Sequence, residues 1–575
     1  MSGINVQKLL CLKGSGILTT NGGNKMSLDV NKLFNRRNNQ RFNRMVVGDV
    51  PERLRLSRPD HIAVEALPGA YAYSTNQKMT YQDFDWMANQ VANRLREAGL
   101  QRGDRVLFVT DNSSEALSAK FGVAKAGLVN VPVNPKLAAD VMEHIIQLTD
   151  PAYVIIDNIY EKRFVDLFAS CGLAMNVSLP LSDSGSQADH EFADWLEGAS
   201  TTAPEVDLHS DDIWEILFTS GTTAMPKGAM ISHTYSYLAG YNYGMHFSRG
   251  LDQPSQYKIL SSLPVIYHVA DHTLTFSAFF HGGSLVLGRR HDARQMAAAI
   301  TDYQPTALWS GSANLLESIV EAYDKDPASY DFESLTSVLY GYSALQVATH
   351  YRLLEICSDR LQLWNSFAQT EVIAGTRFYN LENEDLYLAD AGLVNHVGSA
   401  DPSLAMKIVD EKGREIQTPE VAGQAVYQSP VAFSGYYKNE TATQDAVKNG
   451  WFQSGDSVYR REEGLYVMKG RIKDMIKTNG ESVSASRVEA VLSGHPGVDQ
   501  VAVIGLPDEV LGERVTAVVV KKADSEWEED ELISYGRKFL ASFETPRRII
   551  VTDQLPESVG GKIQKYKLVE QFKED

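Results

Sequence analysis

Short apolar runs typical of β-strands alternate with longer helical stretches from about Asn43 onward. The apolar runs include residues 105–110, 152–156, 283–287 and 306–309, and the helical stretches include residues 81–98 and 115–126. Strands that alternate with helices bury their apolar faces best in parallel sheets covered by helices. The alternation therefore predicts an α/β fold, with a large N-terminal domain of helix-covered, mainly parallel sheets.

The pattern changes after Gly470. Residues 488–492 and 528–542 have helical periodicity, whereas residues 500–505 and 514–521 have the pattern of strands. This predicts a small α+β domain joined by a hinge near residues 471–474. We expect three parts, namely a flexible N-terminal extension (1–42), a large domain (43–471) and a small mobile C-terminal domain (472–575).

Charge and cysteine content restrict the function of the 575-residue chain. With 54 Lys and Arg against 73 Asp and Glu, the net charge is −19, which disfavours nucleic acid as a partner. Three cysteines without a Cys-x-x-Cys pair favour neither a disulfide framework nor a metal site. The chain has no apolar run of 18 residues, so we expect no integral membrane association. A reducing cytoplasm fits best.

The first 45 residues differ in charge, with eight basic residues and one acidic residue. They lack the apolar core of a secretory signal. A flexible tail is the simpler expectation, and an organelle transit peptide is left open.

The most informative segment is residues 216–228, Ile-Leu-Phe-Thr-Ser-Gly-Thr-Thr-Ala-Met-Pro-Lys-Gly. An apolar strand leads into a turn rich in hydroxyl groups and glycine, in which backbone N–H groups and hydroxyls can surround an anion. Lys227 adds a positive charge. The segment predicts a phosphate-binding loop that is not a Walker A loop, because Pro226 and Gly228 replace the required Gly and Ser/Thr.

Four later segments complete a pattern, in the same order along the chain, that resembles the adenylate-forming superfamily. That superfamily comprises acyl-CoA synthetases, luciferases and the adenylation domains of nonribosomal synthetases. The segments are Phe-Ala-Gln-Thr-Glu (367–371), Trp-Phe-Gln-Ser-Gly-Asp (451–456), Gly-Arg-Ile-Lys-Asp (470–474) and Pro-Glu-Ser-Val-Gly-Gly-Lys-Ile (556–563). The resemblance extends from about Asn43 to the C-terminus.

The resemblance implies a role for individual residues. Phe367 would lie beside adenine, Asp456 and Arg471 would bind ribose, and Thr370 and Lys562 would contact the α-phosphate. Magnesium would be held by Glu371 and Thr219. The implied catalytic residues are Lys562, Lys227, Thr370, Glu371 and His268, and the implied ATP-binding residues are Thr219, Ser220, Gly221, Thr222, Thr223, Lys227, Phe367, Ala368, Thr370, Asp456, Arg471 and Lys562.

The resemblance implies a two-step reaction with ATP, Mg²⁺ and CoA. A carboxylic acid first forms an acyl-adenylate and pyrophosphate, and a thiol then displaces AMP. Lys473 would be the pivot of the hinge, and Asn479 and Gly480 would border the CoA tunnel. The family often has two glycines where this chain has Asn479 and Gly480.

The predicted acyl pocket contains His268, Asp271, Gly341, Tyr342, Ser343 and Ala368. Tyr342 and Ala368 stand where the family frequently has glycine, and the added volume predicts a short, compact or aromatic acid. Asp271 as an anchor for an amino-acid substrate is left open. His268 and His272 also match a zinc-binding spacing, although a structural turn with His268 facing the pocket explains the segment better.

The sequence therefore predicts an ATP-dependent carboxylic acid:CoA ligase. Two alternatives are left open, namely an enzyme that loads the phosphopantetheine of a carrier protein and a catalytically inactive nucleotide- or acyl-binding homologue. A homodimer is also left open. Anchors for the CoA nucleotide could come from the arginine pairs Arg289–Arg290 and Arg547–Arg548.

Overall fold

The computed structural model describes residues 43–182, 185–219, 225–249, 251–253, 256–390, 392–478, 481–508, 510–523, 525–557 and 563–573. The predicted N-terminal extension (1–42) lies outside these residues. The helices are α1 (Asp49–Ser57), α2 (Tyr81–Glu97), α3 (Ser114–Lys125), α4 (Ala139–Thr149), α5 (Asn158–Ser170), α6 (Phe192–Leu196), α7 (His233–Phe247), α8 (Thr275–Phe280), α9 (Ala293–Tyr303), α10 (Ala313–Lys325), α11 (Val347–Ile356), α12 (Glu384–Ala389), α13 (Glu440–Ala446), α14 (Ala485–Ser493), α15 (Glu529–Gly536) and α16 (Lys565–Phe572).

The strands form three sheets. In chain order they are β1 (Ile62–Ala66), β2 (Lys78–Thr80), β3 (Arg105–Val109), β4 (Val129–Pro132), β5 (Tyr153–Asp157), β6 (Val177–Leu179), β7 (His190–Glu191), β8 (Ile213–Thr219), β9 (Lys227–Ser232), β10 (Lys258–Ser261), β11 (Ser284–Leu287), β12 (Ala307–Ser312), β13 (Ser337–Gly341), β14 (Gln362–Gln369), β15 (Val372–Tyr379), β16 (His396–Ala400), β17 (Ala405–Val409), β18 (Gly423–Gln428), β19 (Val447–Lys448), β20 (Trp451–Arg460), β21 (Tyr466–Arg471), β22 (Ile476–Thr478), β23 (Glu481–Val483), β24 (Val498–Asp508), β25 (Gly512–Lys521) and β26 (Arg548–Val551).

Two large sheets carry the N-terminal part. The first has the order β7-β6-β5-β3-β4-β8-β9 and is parallel except for the β8–β9 pair. The second has the order β17-β18-β20-β21-β16-β15-β14-β13-β12-β10-β11-β1-β2, with β19 beside β20. Along this order, neighbouring strands from β14 to β1 pair in parallel. On the other side of β14, the strands from β15 through β16 to β21 pair antiparallel. The predicted α/β fold with mainly parallel sheets is confirmed.

Helices α2, α3, α7 and α8 share one contiguous apolar core with strands of both large sheets. Local sequence signals start several of these helices. Thr80 and Asp83 form a capping box at α2, and the Ser113 and Ser232 side chains accept hydrogen bonds from the first turns of α3 and α7. The cap at Ser232 fixes the start of α7, which carries Tyr235 toward the site described below.

A five-stranded sheet forms the small C-terminal part, with the order β23-β22-β25-β24 and β26 beside β25. It has apolar clusters of its own, built around residues such as Val488 and Val518. A 3₁₀ turn at Ile472–Asp474 follows the last strand of the large sheet and precedes β22. This turn lies where the hinge was predicted.

The predicted elements are found with shifted ends. Strands predicted at 105–110, 152–156, 283–287 and 306–309 correspond to β3, β5, β11 and β12, and helices predicted at 81–98 and 115–126 correspond to α2 and α3. The helix predicted at 528–542 is shorter than expected and ends at Gly536. Glycine is a poor helix former, which explains the early end.

Candidate active site

The predicted phosphate-binding loop joins the antiparallel strands β8 and β9. Thr219 ends β8, Lys227 begins β9, and the two residues are register partners. The Thr219 hydroxyl lies 3.5 Å from the Lys227 carbonyl oxygen. A side chain at Gly228 would come within 2.6 Å of Ile216, so this close approach requires glycine. Residues Ser220, Gly221, Thr222 and Thr223 lie outside the described residues.

The Thr-Glu motif forms the turn between β14 and β15. The register shifts between Phe367 and Gln369, which places a bulge at Ala368, and Phe367 and Ala368 are both partly exposed. The Tyr235 hydroxyl donates to the Thr370 carbonyl oxygen over 2.9 Å. Helix α7 therefore fixes the turn that presents Glu371.

One connecting segment, residues 432–437, links the phosphate-binding loop to this turn. On one side the Tyr437 N–H donates to the Gly228 carbonyl oxygen over 2.8 Å. On the other side the Phe433 N–H donates to the Glu371 carbonyl oxygen, also over 2.8 Å. Isolated β-bridges pair Ala229 with Tyr436 and Val372 with Ala432. The backbone thus holds two motifs together that lie far apart in the sequence.

The Tyr436 side chain makes the same connection. Its hydroxyl donates to Glu371 Oε1 over 2.8 Å, and the Lys227 ammonium lies 4.8 Å from the centre of its ring. Tyr436 is 8% exposed. Burial and the negative charge of Glu371 raise the pKa of Tyr436 far above its ordinary value, so the phenol remains a donor at neutral pH.

Asp456 and Arg471 are register partners on β20 and β21. The Asp456 carboxylate is fully buried, and Arg471 Nε lies 2.9 Å from Asp456 Oδ1. The Gln369 side-chain amide donates to Asp456 Oδ2 and to the Ser454 carbonyl oxygen. Gln369 therefore connects the Thr-Glu motif to the predicted ribose-binding aspartate.

Positive charge accumulates where these motifs meet. Lys473 is exposed at the hinge, yet partial desolvation of its ammonium lowers its pKa; the carboxylates of Asp474 and Asp456 oppose this shift, and the positive charges of Arg471 and Lys227 add to it. Arg471 and Lys473 belong to the hinge motif and Lys227 to the phosphate-binding loop, so three cations from two motifs are close enough to interact. Such a cluster in a protein of net negative charge is suited to bind a polyanion.

The predicted acyl wall follows β13. Gly341 ends the strand, and the Ser343 N–H donates to its carbonyl oxygen over 2.8 Å. Tyr342 between them has a φ of 66°, is 45% exposed, and its ring centre lies 6.3 Å from that of Trp309. The backbone at Tyr342 thus has the left-handed conformation that glycine adopts without strain.

His268 begins a 3₁₀ turn, and its Nδ1 accepts a hydrogen bond from the Ala270 N–H. His272 Nε2 lies 3.0 Å from Glu215 Oε2. The two imidazoles therefore have separate structural partners. Among the described residues, no group of three or more His, Cys, Asp or Glu side chains could hold a metal ion.

Asp271, considered above as an anchor for an amino-acid substrate, lies in the core. Its carboxylate is fully buried, and its Oδ2 lies 2.8 Å from Lys120 Nζ. The same ammonium lies 2.7 Å from Glu215 Oε1. Burial alone would lower the pKa of Lys120, but the two carboxylates outweigh it and raise that pKa. The structure places Asp271 in this ion network.

The remaining predicted residues, Asn479, Gly480 and Lys562, lie outside the described residues, but their flanks are described. Glu557 and Ile563 form a β-bridge on either side of the segment that contains Lys562. Lys565 Nζ then lies 2.7 Å from Glu489 Oε1 on α14.

Sequence reasoning missed Tyr436, Gln369 and Tyr235. Gln369 and Tyr235 lie within or close to motifs that were identified, whereas Tyr436 lies in a segment to which no chemistry was assigned. Its hydroxyl reaches a carboxylate 65 residues earlier in the chain, a contact that only the fold creates.

A two-part α/β fold with a cationic cluster beside buried and half-buried carboxylates defines a nucleotide-binding enzyme of the adenylate-forming type. The comparison with protein families agrees. The AMP-binding enzyme model matches residues 56–437, and the model of the AMP-binding enzyme C-terminal domain matches residues 487–562. The chain belongs to the AMP-binding enzyme family.

Known proteins resemble the chain over most of its length. The long-chain-fatty-acid–CoA ligase FadD13 of Mycobacterium tuberculosis is 29% identical, over 87% of this chain and 94% of that protein. The fatty acid–[acyl-carrier-protein] ligase ScoC of Streptomyces coeruleorubidus is 29% identical, over 86% and 92%. The crystal structure of ATP-bound MatB from Rhodopseudomonas palustris is 26% identical, with a TM-score of 0.76 and coverage of 92% and 99%.

These findings confirm the predicted enzyme class, an acyl-CoA synthetase of the AMP-forming type. They also support the predicted use of ATP and CoA. No helix in the described part of the chain is long and apolar enough to cross a membrane.

Proposed function

We propose that this protein is an ATP- and Mg²⁺-dependent carboxylic acid:CoA ligase for a short, compact or aromatic acid. The observation that carries the proposal is the convergence of Lys227, Glu371, Asp456 and Arg471. Tyr436 connects the first two of these residues, and Arg471 is paired with Asp456. This arrangement offers positive charge to phosphates. Beside that charge, one carboxylate is available for a metal ion and another for a ribose.

In the first step an oxygen of the substrate carboxylate bonds to the α-phosphorus of ATP, and the bond to the β-phosphate oxygen breaks. The products are acyl-adenylate and pyrophosphate. Both reactants are anions, so the protein must offset their repulsion. Lys227 and Lys562 supply positive charge, and Asp456 with Arg471 orients the ribose. Loss of one such charge should reduce the rate roughly 10²- to 10³-fold.

The residues fit a magnesium ion. Glu371 Oε1 accepts from Tyr436, and within the described residues its Oε2 has no hydrogen-bond partner. Protein magnesium sites commonly use one or two carboxylates together with substrate phosphates. Glu371 and the Thr219 hydroxyl would hold the ion, and bound Mg²⁺ would neutralise phosphate charge.

In the second step the thiol sulfur bonds to the acyl carbon, the carbon–oxygen bond to AMP breaks, and the thiol proton leaves to solvent. Lys473 would serve as the pivot between the large domain (43–471) and the small domain (472–575). Asn479 and Gly480 would border the path of the thiol arm. Rotation about the hinge would let one small domain serve both steps.

Tyr342 supports the assignment of a compact acid. A bulky ring at a left-handed position narrows the wall after β13, and Trp309 lies beside it. His268 would line the channel to the carboxylate. The position of Asp271 in the core ion network argues against its use as an amino-acid anchor.

The acceptor has one alternative, the phosphopantetheine of a carrier protein. ScoC shows that a related enzyme uses a carrier protein. One candidate CoA anchor is already engaged, because Arg289 Nη2 lies 2.8 Å from Asp157 and Arg290 Nη2 lies 2.5 Å from Asp111. Free CoA remains our proposal. A cytoplasmic location and a homodimer remain predictions.

The deciding experiment is ATP–pyrophosphate exchange across a panel of carboxylic acids, followed by product analysis with free CoA. We expect exchange with compact or aromatic acids and an acyl-CoA product. Exchange without acyl-CoA would favour the carrier-protein alternative. Absence of exchange across a broad panel would favour the inactive, ligand-binding alternative.

A further inference from the structure

We propose that Tyr436 is a positioning residue that holds Glu371 and Lys227 apart, so that both charges stay available to the metal-bound nucleotide. The inference rests on the proposed function and concerns a residue for which the motifs imply no role. It depends on two separate features of one side chain, the hydroxyl and the ring.

The hydroxyl fixes the orientation of the carboxylate. It donates to Glu371 Oε1 over 2.8 Å. A carboxylate that has one oxygen bound presents the other in a defined direction. Glu371 Oε2 is therefore the oxygen left for a cation.

The ring occupies the position beside Lys227. The ammonium lies 4.8 Å from the ring centre, within the distance of a favourable cation–π contact. In the described part of the chain, Lys227 forms no ion pair with Glu371. A direct pair between them would neutralise the cation meant for phosphate and the carboxylate meant for the metal ion.

The backbone holds Tyr436 in this place. Met230 donates its N–H to the Gly435 carbonyl oxygen over 2.9 Å, and the Ser434 N–H donates back to Met230 over 2.8 Å. Tyr436 therefore belongs to a short segment that pairs antiparallel with β9. Backbone hydrogen bonds fix this segment, and they thereby fix the position from which the Tyr436 side chain makes its contacts.

Two variants separate the two features. Tyr436→Phe keeps the ring and removes the hydroxyl, whereas Tyr436→Leu removes both. Tyr437→Phe is the matched control, because it removes a hydroxyl from the next residue of the same segment. Isothermal titration calorimetry with the full chain would compare MgATP with ATP in EDTA, without acid, so that binding is read independently of turnover.

We expect Tyr436→Phe to weaken MgATP binding about tenfold, the effect of one lost hydrogen bond to a charged group, and to leave metal-free ATP binding unchanged. Tyr436→Leu should weaken both, because Lys227 then pairs with Glu371. Tyr437→Phe should bind like the wild type. In a Glu371→Gln background, Tyr436→Phe should have no further effect on MgATP binding.

The inference would be overturned if Tyr436→Phe weakened the binding of MgATP and of metal-free ATP equally, or weakened neither. The same loss of MgATP binding in Tyr437→Phe would also overturn it. If Tyr436→Leu does not fold, the comparison between Tyr436→Phe and Tyr437→Phe still decides. A wild-type protein that catalyses exchange while Tyr436→Phe binds normally would refute only this inference. A wild type that binds no MgATP would refute the proposed function as well.

Discussion

At the scale of single residues, Tyr342 is the one non-glycine residue with a left-handed backbone among the predicted site residues that the structure describes. A left-handed conformation costs a residue with a side chain about 1–2 kcal/mol, and residues in such conformations concentrate at ligand sites. Tyr342 keeps this conformation while nearly half of its surface is exposed. We propose that this strain is kept because the ring contributes to the acyl pocket.

Tyr342→Gly should relieve the strain and enlarge the pocket. We expect a melting temperature equal to or above that of the wild type, and ATP–pyrophosphate exchange shifted toward longer or bulkier acids. Tyr342→Phe is the control and should keep the wild-type preference, since it retains the ring. An unchanged acid profile in Tyr342→Gly would show that the ring points away from the substrate.

At the scale of secondary-structure elements, a buried ion network fixes the turn that carries His268. Lys120 on α3 joins Glu215 on β8 to Asp271 of the turn, and all three side chains are fully buried. Strand β8 ends at Thr219, four residues beyond Glu215. The network therefore holds the turn that would line the acyl channel next to β8, the strand that leads into the phosphate-binding loop.

Lys120→Met should leave two carboxylates buried without their cation. Breaking a buried pair in this way costs about 3–5 kcal/mol of stability. The control is Lys78→Met, which removes the exposed partner of Glu65 and should cost no more than about 1 kcal/mol. Urea unfolding of the full chain measures both, and equal losses would contradict the buried network as a source of stability.

Individual elements could be predicted from the sequence, because strand and helix periodicities depend on neighbouring residues. The sequence placed β3, β5, β11, α2 and α3 within one or two residues. It could not predict the contacts of Tyr436 or Asp271. The partners of these side chains lie 65 and 151 positions away, and only the packing of separate sheets brings them together.

At the scale of the whole molecule, the proposed function requires two parts of the chain to cooperate in one reaction. In the small part, Glu557 and Ile563 form a β-bridge, and Lys565 on α16 forms an ion pair with Glu489 on α14. The 3₁₀ turn at Ile472–Asp474 connects this part to the large sheet.

Lys562→Ala should remove the positive charge needed at the α-phosphate during adenylation. We expect a roughly 10²- to 10³-fold loss of ATP–pyrophosphate exchange, with thioester formation from supplied acyl-adenylate largely retained. Lys567→Ala, in the exposed part of α16, is the control and should retain both activities. Equal loss of both half-reactions in Lys562→Ala would refute the rotation of the small domain.

The pairing between residues 432–437 and β9 has a consequence for biosynthesis. Domains of a growing polypeptide generally fold in the order in which they leave the ribosome. The strands that bear Lys227 and Glu371 emerge first, but the segment that ties them together ends at residue 437 of 575. Between the synthesis of Glu371 and that of residue 437, a nascent chain thus has both motifs without the segment that ties them, and a truncation before residue 432 would release a protein that lacks these backbone links between β9 and the Thr-Glu turn.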